Sequence, residues 1–242
     1  MATPKRMVLD LSHHNIVNDW QQVADAAIIG VIHKASEGST YKDPKYDGRR
    51  SGCREKGIEW GAYHFATASP VDEQVENYLV AADPDKDTML VLDWEPYGDN
   101  TMSVSAAKEW ITQVEQRLDR PGEVVIYSGN LAKEELDASD TFFGARRLWL
   151  AQYGSTPKVE PPWSKFFLWQ YSDGQTGPEP KGCPGVQDPV DTNSFNGSAE
   201  QLRAEWASGE VEPAPTPTPR PVVTVTVQAP AGVKVVVHTE EV

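Results

Sequence analysis

Cysteine, histidine and metal-binding spacings are scarce in this sequence. The 242-residue chain has two cysteines, Cys53 and Cys183, and five histidines. The cysteines are far apart and belong to no CxxC-type motif. His13 and His14 do not form a ligand pair either, because adjacent side chains on an extended segment diverge. The sequence therefore predicts neither a metal nor another cofactor. It does not specify whether the two cysteines pair, and we favour two free thiols.

Long apolar runs and positive charge are also in short supply. The first residues, MATPKRMVLDLSHHN, contain no apolar run of signal-peptide length, and no stretch of the chain is long enough to span a bilayer. Lys and Arg total 22 against 36 Asp and Glu, which gives a formal net charge of −14. A chain this acidic repels phosphate backbones and anionic surfaces. We therefore expect no membrane insertion and no nucleic-acid partner.

Proline, which is abundant, marks the clearest boundary in the chain. After a helix-like stretch at 199–207, the segment EPAPTPTPRP (212–221) has the alternating prolines of an extended, semi-rigid linker. β-Branched runs at 222–228 and 233–240 then predict a β-hairpin. We therefore divide the chain into a main domain at 1–209, a Pro-rich linker at 210–221 and a β-rich tail at 222–242.

Within the main domain, short apolar stretches alternate with amphipathic ones. The apolar stretches predict β-strands at 7–12, 28–35, 58–65, 88–95, 123–128, 147–153, 166–172 and 189–193. The amphipathic stretches predict helices at 19–26, 43–57, 71–82, 103–118 and 131–138. Strands that alternate with helices form parallel sheets through right-handed crossovers. The sequence therefore predicts an α/β fold.

The number and spacing of the strands favour a closed barrel. About eight strands in roughly 200 residues fit a TIM-like barrel at the low end of its usual size. Helices are clear only in the first part of the domain, and Pro- and Gly-rich loops join the last strands. We therefore predict an irregular TIM-like barrel with five β/α units followed by three further strands, plus a short C-terminal β-hairpin tail. A doubly wound open sheet is the alternative, although no Gly-rich phosphate loop follows the first strand.

Polar and aromatic residues gather where the predicted strands end. In a parallel barrel, the C-terminal strand ends face one common pocket. The residues at those ends are Asp10, Lys34, Glu37, Tyr63, Asp93, Glu95, Tyr127, Gln152, Tyr153, Gln170, Tyr171 and Asp191. Carboxylates and rings without a metal-ligand pattern are typical of enzymes that hydrolyse glycosides.

The segment LVLDWEP (90–96) is the strongest single element. Alternate strand residues share a face, so Asp93 and Glu95 would lie about 7 Å apart on one side of the strand. At the end of an apolar strand both are partly desolvated, and each raises the cost of ionising the other. One carboxyl then stays protonated near neutral pH, as a general acid requires. An ordinary carboxylate pair at a strand edge remains the alternative, as does loop capping for Asp10.

Taken in order, the motifs of this domain resemble those of glycoside hydrolase family 25, the bacterial and phage muramidases. The resemblance covers residues 7–207, and no single motif is specific, but eight in the same order are difficult to obtain by chance. They are DLSHHN with the following DW (10–20), HKASEG with the following YKD (33–43), GIEWGAYHF (57–65), LVLDWE (90–95), IYSG (126–129), LWLAQY (148–153), LWQYSDG (168–174) and VDTNSF (190–195).

This resemblance implies a flattened barrel and a lysozyme activity. The expected reaction is hydrolysis of the β-1,4 bond from N-acetylmuramic acid to N-acetylglucosamine in peptidoglycan, which leads to bacterial lysis. By motif matching, Glu95 resembles the family's acid/base and Asp93 its partner carboxylate, with Asp10 and Asp191 in the same pocket. The expected substrate-binding residues are Lys34, Tyr63, Tyr127, Trp149, Gln152, Tyr153, Gln170 and Tyr171.

Two mechanisms fit this pair of carboxylates. A carboxylate can attack the anomeric carbon and form a covalent intermediate. Alternatively, the substrate's own 2-acetamido oxygen attacks, while Asp93 orients the amide and stabilises its positive charge. We favour the second route, because Asp93 lies two residues from the acid on one strand, where reaching the opposite sugar face is awkward.

The C-terminal tail departs from the pattern of many phage members, which carry sizeable wall-binding repeats. Residues 211–242 are too few for a typical independent module. We favour homo-oligomerisation through the alternating valines of the tail over direct wall contact, with disorder as a further alternative. The resemblance together with the missing signal peptide suggests a phage endolysin, made in the host cytoplasm and released to the wall by a separate protein.

Two other functions compete with this interpretation. A chitinase-like enzyme also carries a motif ending in DxE, but the longer DxxDxDxE motif is absent, because Thr88 and Val91 occupy its upstream positions. A catalytically inactive wall-binding module is the second alternative. Against it, every candidate carboxylate is present, and a binding module needs no desolvated acid.

Overall fold

The computed structural model describes residues 4–208. The predicted linker at 210–221 and the β-rich tail at 222–242 lie outside the described residues, so the predictions for them stay predictions. Within residues 4–208, no helix is long and apolar enough to cross a membrane.

Nine strands and seven helices follow one another along the described part of the chain. The strands are β1 Val8–Leu11, β2 Gly30–Glu37, β3 Tyr41–Lys42, β4 Glu59–Phe65, β5 Met89–Asp93, β6 Val125–Ser128, β7 Leu148–Ala151, β8 Leu168–Ser172 and β9 Asp191–Phe195. The helices are α1 Trp20–Asp25, α2 Tyr46–Arg54, α3 Val71–Ala82, α4 Val104–Leu118, α5 Asn130–Glu135, α6 Thr141–Gly144 and α7 Ala199–Glu205. Each predicted strand and helix overlaps an observed one. The short β3 and α6 were not predicted, because elements of two and four residues carry no periodic signal.

The sheet closes on itself. Its strand order is β1-β9-β8-β7-β6-β5-β4-β2, with β3 paired to β2, and β1 also pairs with β2. All neighbours in the barrel are parallel except β9, which runs antiparallel to both β8 and β1. No helix intervenes between β8 and β9, and an antiparallel strand needs no crossover helix. The predicted irregular barrel of five β/α units and three further strands is therefore confirmed, and the open sheet is excluded.

Helix α4 shows how local sequence fixes the outer layer. Ser103 caps its N-terminus by accepting a hydrogen bond from the backbone N–H of Ala106 at 3.2 Å. Trp110, Ile111 and Val114 recur at helical spacing, and all are fully buried against the sheet. The outer core thus lies between the sheet and its helices.

A second, smaller core fills the barrel interior at the N-terminal ends of the strands. Val8, Val91, Val125 and Leu168 are fully buried inward-facing residues of four different strands. Trp206, just after α7, packs in the same cluster and donates its indole N–H to the carbonyl oxygen of Trp60 at 2.9 Å. The barrel is therefore filled at the N-terminal ends of its strands, which leaves the C-terminal ends to form a pocket.

Candidate active site

The inner faces of the strands change from apolar to polar towards the C-terminal ends of the strands. Side chains alternate between the two faces of a strand, so the inner-facing residue that follows Val8 on β1 is Asp10, two positions later. In the same way, Val91 is followed by Asp93 on β5. The alternation that builds the apolar interior therefore also delivers a ring of polar groups to the barrel mouth.

These groups line one pocket with a volume of about 210 Å³. Its lining residues are Asp10, Ser12, His14, Lys34, Tyr63, Phe65, Asp93, Glu95, Tyr127, Trp149, Gln170 and Asp191. The four predicted catalytic carboxylates are all among them. Glu95 and Asp10 share this one pocket, and opposite placement of the two would have ruled out the predicted site.

Asp93 and Glu95 reach the pocket from the end of β5. The sequence predicts a strand that includes Glu95. The observed strand ends at Asp93, so Glu95 lies just beyond it. Between them, Trp94 points the other way: it is fully buried, donates its indole N–H to Met102 O at 2.8 Å and stacks on Phe143. This anchored ring keeps both carboxyl groups on the pocket side.

Burial makes these two carboxyl groups weaker acids than carboxyl groups in water. It raises the pKa of Asp93 well above its usual range, and the neighbouring charge of Glu95 raises it further. The pKa of Glu95 is also raised, first by burial and then by the charge of Asp10. The ammonium group of Lys34 lowers both pKa values in part. The environment therefore favours the protonated form of each carboxyl group, which is the direction predicted from the DxE motif.

Asp10 and Asp191 form a second carboxyl pair on the other side of the pocket. They are direct partners in the antiparallel register of β1 and β9. The side-chain amide of Gln170 donates to Asp10 at 3.1 Å and to Asp191 at 3.3 Å. Burial, followed by the charge of Asp10, raises the pKa of Asp191 to about 9. Asp191 thus holds a proton at neutral pH.

Asn193 belongs to this pair and was missed by the sequence analysis. Its side-chain amide donates to Asp10 Oδ2 at 2.7 Å, and its own oxygen accepts the indole N–H of Trp149 at 2.6 Å. Burial raises the pKa of Asp10 above its usual range, and the hydrogen bonds from Asn193 and Gln170 offset part of that rise because they favour its ionised form. The period-two alternation from Asp191 was the signal that would have found Asn193.

Two of the pocket aromatics, Tyr127 and Trp149, are held by hydrogen bonds. Tyr127 donates its hydroxyl to Gln170 Oε1 at 2.9 Å and meets Trp149 edge to face, with ring centroids 4.6 Å apart. Burial raises the pKa of both Tyr63 and Tyr127 well above the usual value, so their phenols stay neutral. Neutral phenols and amides in a carboxylate pocket suit an uncharged, hydroxyl-rich ligand.

Three predicted substrate-binding residues do not line the pocket. Tyr171 is fully buried on the outer face of β8 and donates its hydroxyl to Pro180 O at 2.6 Å, so the structure does not bring it to the pocket. Gln152 and Tyr153 follow the end of β7. The side chain of Gln152 accepts the backbone N–H of Lys158 at 2.6 Å. Tyr153 is 44% exposed. Partial burial, followed by the charge of Asp191, raises its pKa.

Neither cysteine lies in the pocket, and both are buried free thiols, as favoured from the sequence. Among residues 4–208, no group of three or more His, Cys, Asp or Glu side chains is arranged to hold a metal ion.

Comparison with known proteins gives a consistent result. The family profile described as "Glycosyl hydrolases family 25" matches residues 9–179. Lysozyme M1 of Streptomyces globisporus is 30% identical over 211 residues, which covers 81% of this chain and 69% of that protein. The crystal structure of the bacterial lysozyme from Streptomyces coelicolor is 29% identical with a TM-score of 0.65, covering 81% of this chain and 94% of the other. The muramidase from Acremonium alcalophilum is 28% identical with a TM-score of 0.69, covering 84% and 98%.

Proposed function

This chain belongs to glycosyl hydrolase family 25 and is a glycoside hydrolase with muramidase activity on peptidoglycan, and on that basis we propose which of its residues cut the glycan. Glu95 is the general acid/base, and Asp93 assists the substrate's 2-acetamido group. Asp10 supplies negative charge beside the reacting sugar, and Asp191 is its protonated partner. The observation that carries the proposal is a pocket in which buried carboxyl groups raise one another's pKa.

Exposure to the pocket opening favours Glu95 over Asp93 as the proton donor. Asp93 is 8% exposed, whereas Glu95 is partly exposed and sits just beyond the strand end. A general acid must reach the departing glycosidic oxygen and recover its proton from water after each turnover. Glu95 satisfies both requirements, while its raised pKa keeps it protonated until the bond breaks.

Asp93 is suited to hold the acetamido group. Its Oδ1 atom is buried and has no hydrogen-bond donor among the described residues. A buried acceptor without a partner is costly, and the substrate's amide N–H would satisfy it. Lys34 and the positive charge that develops on the amide nitrogen both favour the ionised form of Asp93 at that step.

The proposed reaction then runs in two steps. The acetamido oxygen attacks the anomeric carbon, the glycosidic C–O bond breaks, and Glu95 gives its proton to the departing oxygen. This leaves a cyclic oxazolinium ion, whose N–H the Asp93 carboxylate accepts. Next, Glu95 removes a proton from a water molecule, which attacks the anomeric carbon and reopens the ring. The configuration is retained, and Glu95 ends as it began.

Replacing the acid tests this assignment. We expect Glu95→Gln to lower kcat by about 10²–10⁴-fold, because an amide cannot supply the proton. Binding of glycan should be nearly unchanged, since Gln keeps the shape of Glu. Digestion of purified walls followed by mass spectrometry of the muropeptides measures both the rate and the bond cut, which should leave N-acetylmuramic acid at the new reducing end.

Glu109→Gln, at an exposed carboxyl group on α4, is the matched control and should retain the parent rate. Near-parental turnover by Glu95→Gln would overturn the assignment. A new N-acetylglucosamine reducing end would contradict the muramidase activity itself. Parallel digestion of chitin distinguishes a chitinase-like enzyme, and wall binding without a fall in turbidity would indicate an inactive binding module.

A further inference from the structure

Exposed large hydrophobic side chains are concentrated at the barrel mouth. Among the described residues they are Ile16, Tyr41, Val80, Tyr97 and Tyr153. All except Val80, which lies on α3, follow the C-terminal ends of strands β1, β2, β5 and β7. Single exposed apolar residues are ordinary, but their collection around one opening marks a binding surface. Tyr97 is among the most exposed of them, at 47%.

Tyr97 continues the wall of the catalytic pocket outward. Its ring meets the ring of Phe65 edge to face, with centroids 5.3 Å apart and planes at 83°. Phe65 itself lines the pocket, and the ammonium group of Lys34 lies 4.8 Å from its ring centroid. Phe65 therefore joins the pocket to the ring of Tyr97, which stands two residues after the proposed acid, Glu95.

A braced loop holds Tyr97 in place. Its backbone N–H donates to Thr101 Oγ1 at 2.7 Å, and that hydroxyl donates to Gly98 O at 2.8 Å. Asn100 ties the loop to the segment after β4, since the backbone N–H of Ala68 donates to Asn100 O at 2.8 Å. A ring fixed in this way loses little conformational freedom when a ligand packs on it. The braced backbone, together with the contact to Phe65, thus presents the half-exposed ring of Tyr97 to water.

The position of this surface beside the carboxyl groups and its aromatic chemistry indicate its occupant. Asp10 and Asp191 approach the pocket from β1 and β9, on the other side of the barrel from β4 and β5. Phe65 and Tyr97 continue the pocket wall beside Glu95, so a glycan strand that extends past the proposed acid on this side meets the ring of Tyr97. A pyranose has an apolar face that packs against an aromatic ring, whereas a charged stem peptide offers no such face.

We propose that Tyr97, supported by Phe65, forms a saccharide subsite for a further pyranose of the glycan strand, beyond the sugar in the catalytic pocket. This inference rests on the proposed function and extends it. Its consequence is a dependence on chain length: the tyrosine stabilises binding only of oligosaccharides long enough to reach it.

The test measures binding of β-1,4-linked N-acetylglucosamine oligomers of two to six sugars to the full chain carrying Glu95→Gln, by titration calorimetry. Adding Tyr97→Ala should raise the Kd of the longest oligomer about tenfold, as expected for the loss of one stacking contact. It should leave the Kd of the shortest binding oligomer within about twofold. Tyr97→Phe keeps the ring and should match the parent, and Val80→Ala, on α3 away from the mouth, should also match it.

Other outcomes overturn the proposal in distinguishable ways. An equal change at every length would mean that Tyr97 only maintains the fold of the loop, and no change at any length would mean that its ring is not a subsite. If the parent chain neither cleaves peptidoglycan nor binds any oligomer, the proposed function fails together with this inference. Cleavage by the parent with no length-dependent effect of Tyr97→Ala removes the inference alone.

Discussion

Asp191 is an acid that the folded protein keeps protonated at a cost in stability. Its pKa in the fold is about 9, raised by burial and by Asp10, against about 3.9 for an unfolded Asp. Between these two pH values the folded state binds a proton that the unfolded state has released. The contribution of Asp191 to stability is therefore complete below about pH 4 and decreases as the pH rises towards 9.

Removing this carboxyl group should stabilise the protein in a pH-dependent way. We expect Asp191→Asn to raise Tm relative to the parent, with a gain that is small near pH 5 and grows up to pH 9, because Asn can donate to Asp10 at any pH. For a domain of this size, each kcal/mol corresponds to about 2–4 °C. Scanning calorimetry across that pH range measures the gain, and turnover should fall in the same variant.

Glu134→Gln, at an exposed carboxyl group on α5, is the control and should show no growth of Tm with pH relative to the parent. A constant Tm difference for Asp191→Asn at every pH would show that Asp191 is ionised in the folded state.

At this scale the sequence identified types of residue better than contacts. Asp93 and Glu95 were found because an acidic pair at the end of an apolar strand is a local pattern. Asn193 shares a face of β9 with Asp191 and was missed although this alternation is local. Tyr171 was grouped with Gln170, but only Gln170 lines the pocket, because the interior face of a strand is not a local property. The interior face of β8 is fixed by its pairing with β9. The register of that pair shifts between Gln170 and Ser172, on either side of Tyr171.

Among the elements, α7 and β2 meet at the closed end of the barrel. A Cβ atom on Gly30, the first residue of β2, would lie 2.1 Å from the ring of Trp206. That ring cannot move away easily, because its indole N–H is held by Trp60 O at 2.9 Å. The close approach of strand and indole therefore requires glycine at this position.

A pair of glycine substitutions tests this contact. Gly30→Ala should destabilise the fold by about 1–3 kcal/mol through overpacking. Gly48→Ala, in α2 with no atom within 4 Å of the added methyl group, should stabilise it by about 0.5–1 kcal/mol. Denaturant unfolding measures both. Turnover of the folded protein should be unchanged in each, since neither residue lines the pocket. Equal effects of the two substitutions on stability would show that Trp206 does not pack against β2.

The elements themselves were predictable, because helix and strand periodicities are local. All five predicted β/α units are present, and α3 spans Val71–Ala82 as predicted. The exact end of β5 was not predictable: the sequence extended the strand to Glu95, whereas pairing with β6 ends at Asp93. Where a strand ends depends on its pairing with the neighbouring strand, which no local pattern specifies.

At the scale of the whole molecule, the chain divides into Met1–Val211 and Glu212–Val242. All candidate site residues belong to the first unit. The sequence assigned the tail to homo-oligomerisation, which is a property independent of the pocket.

Shortening the chain tests this assignment. A chain ending at Val211 should keep the parental turnover on soluble glycan oligomers, because it retains every pocket residue. Size-exclusion chromatography with light scattering should give a mass above one 26.7 kDa chain for the full-length protein and a monomer for the shortened one. Identical monomer masses would discard self-association through the tail.

By itself the sequence determined the α/β class, the order of the elements, the family and the acidic pair at the end of the fourth predicted strand. These follow from periodicity and from motifs, which are properties of neighbouring residues. Only the tertiary structure decided which strand lies beside which. The antiparallel placement of β9 brings Asp191 opposite Asp10, and closure of the barrel brings both to the pocket that holds Glu95. Such pairings join residues far apart in the chain, so no local pattern can specify them, and the pKa values on which catalysis depends follow from them.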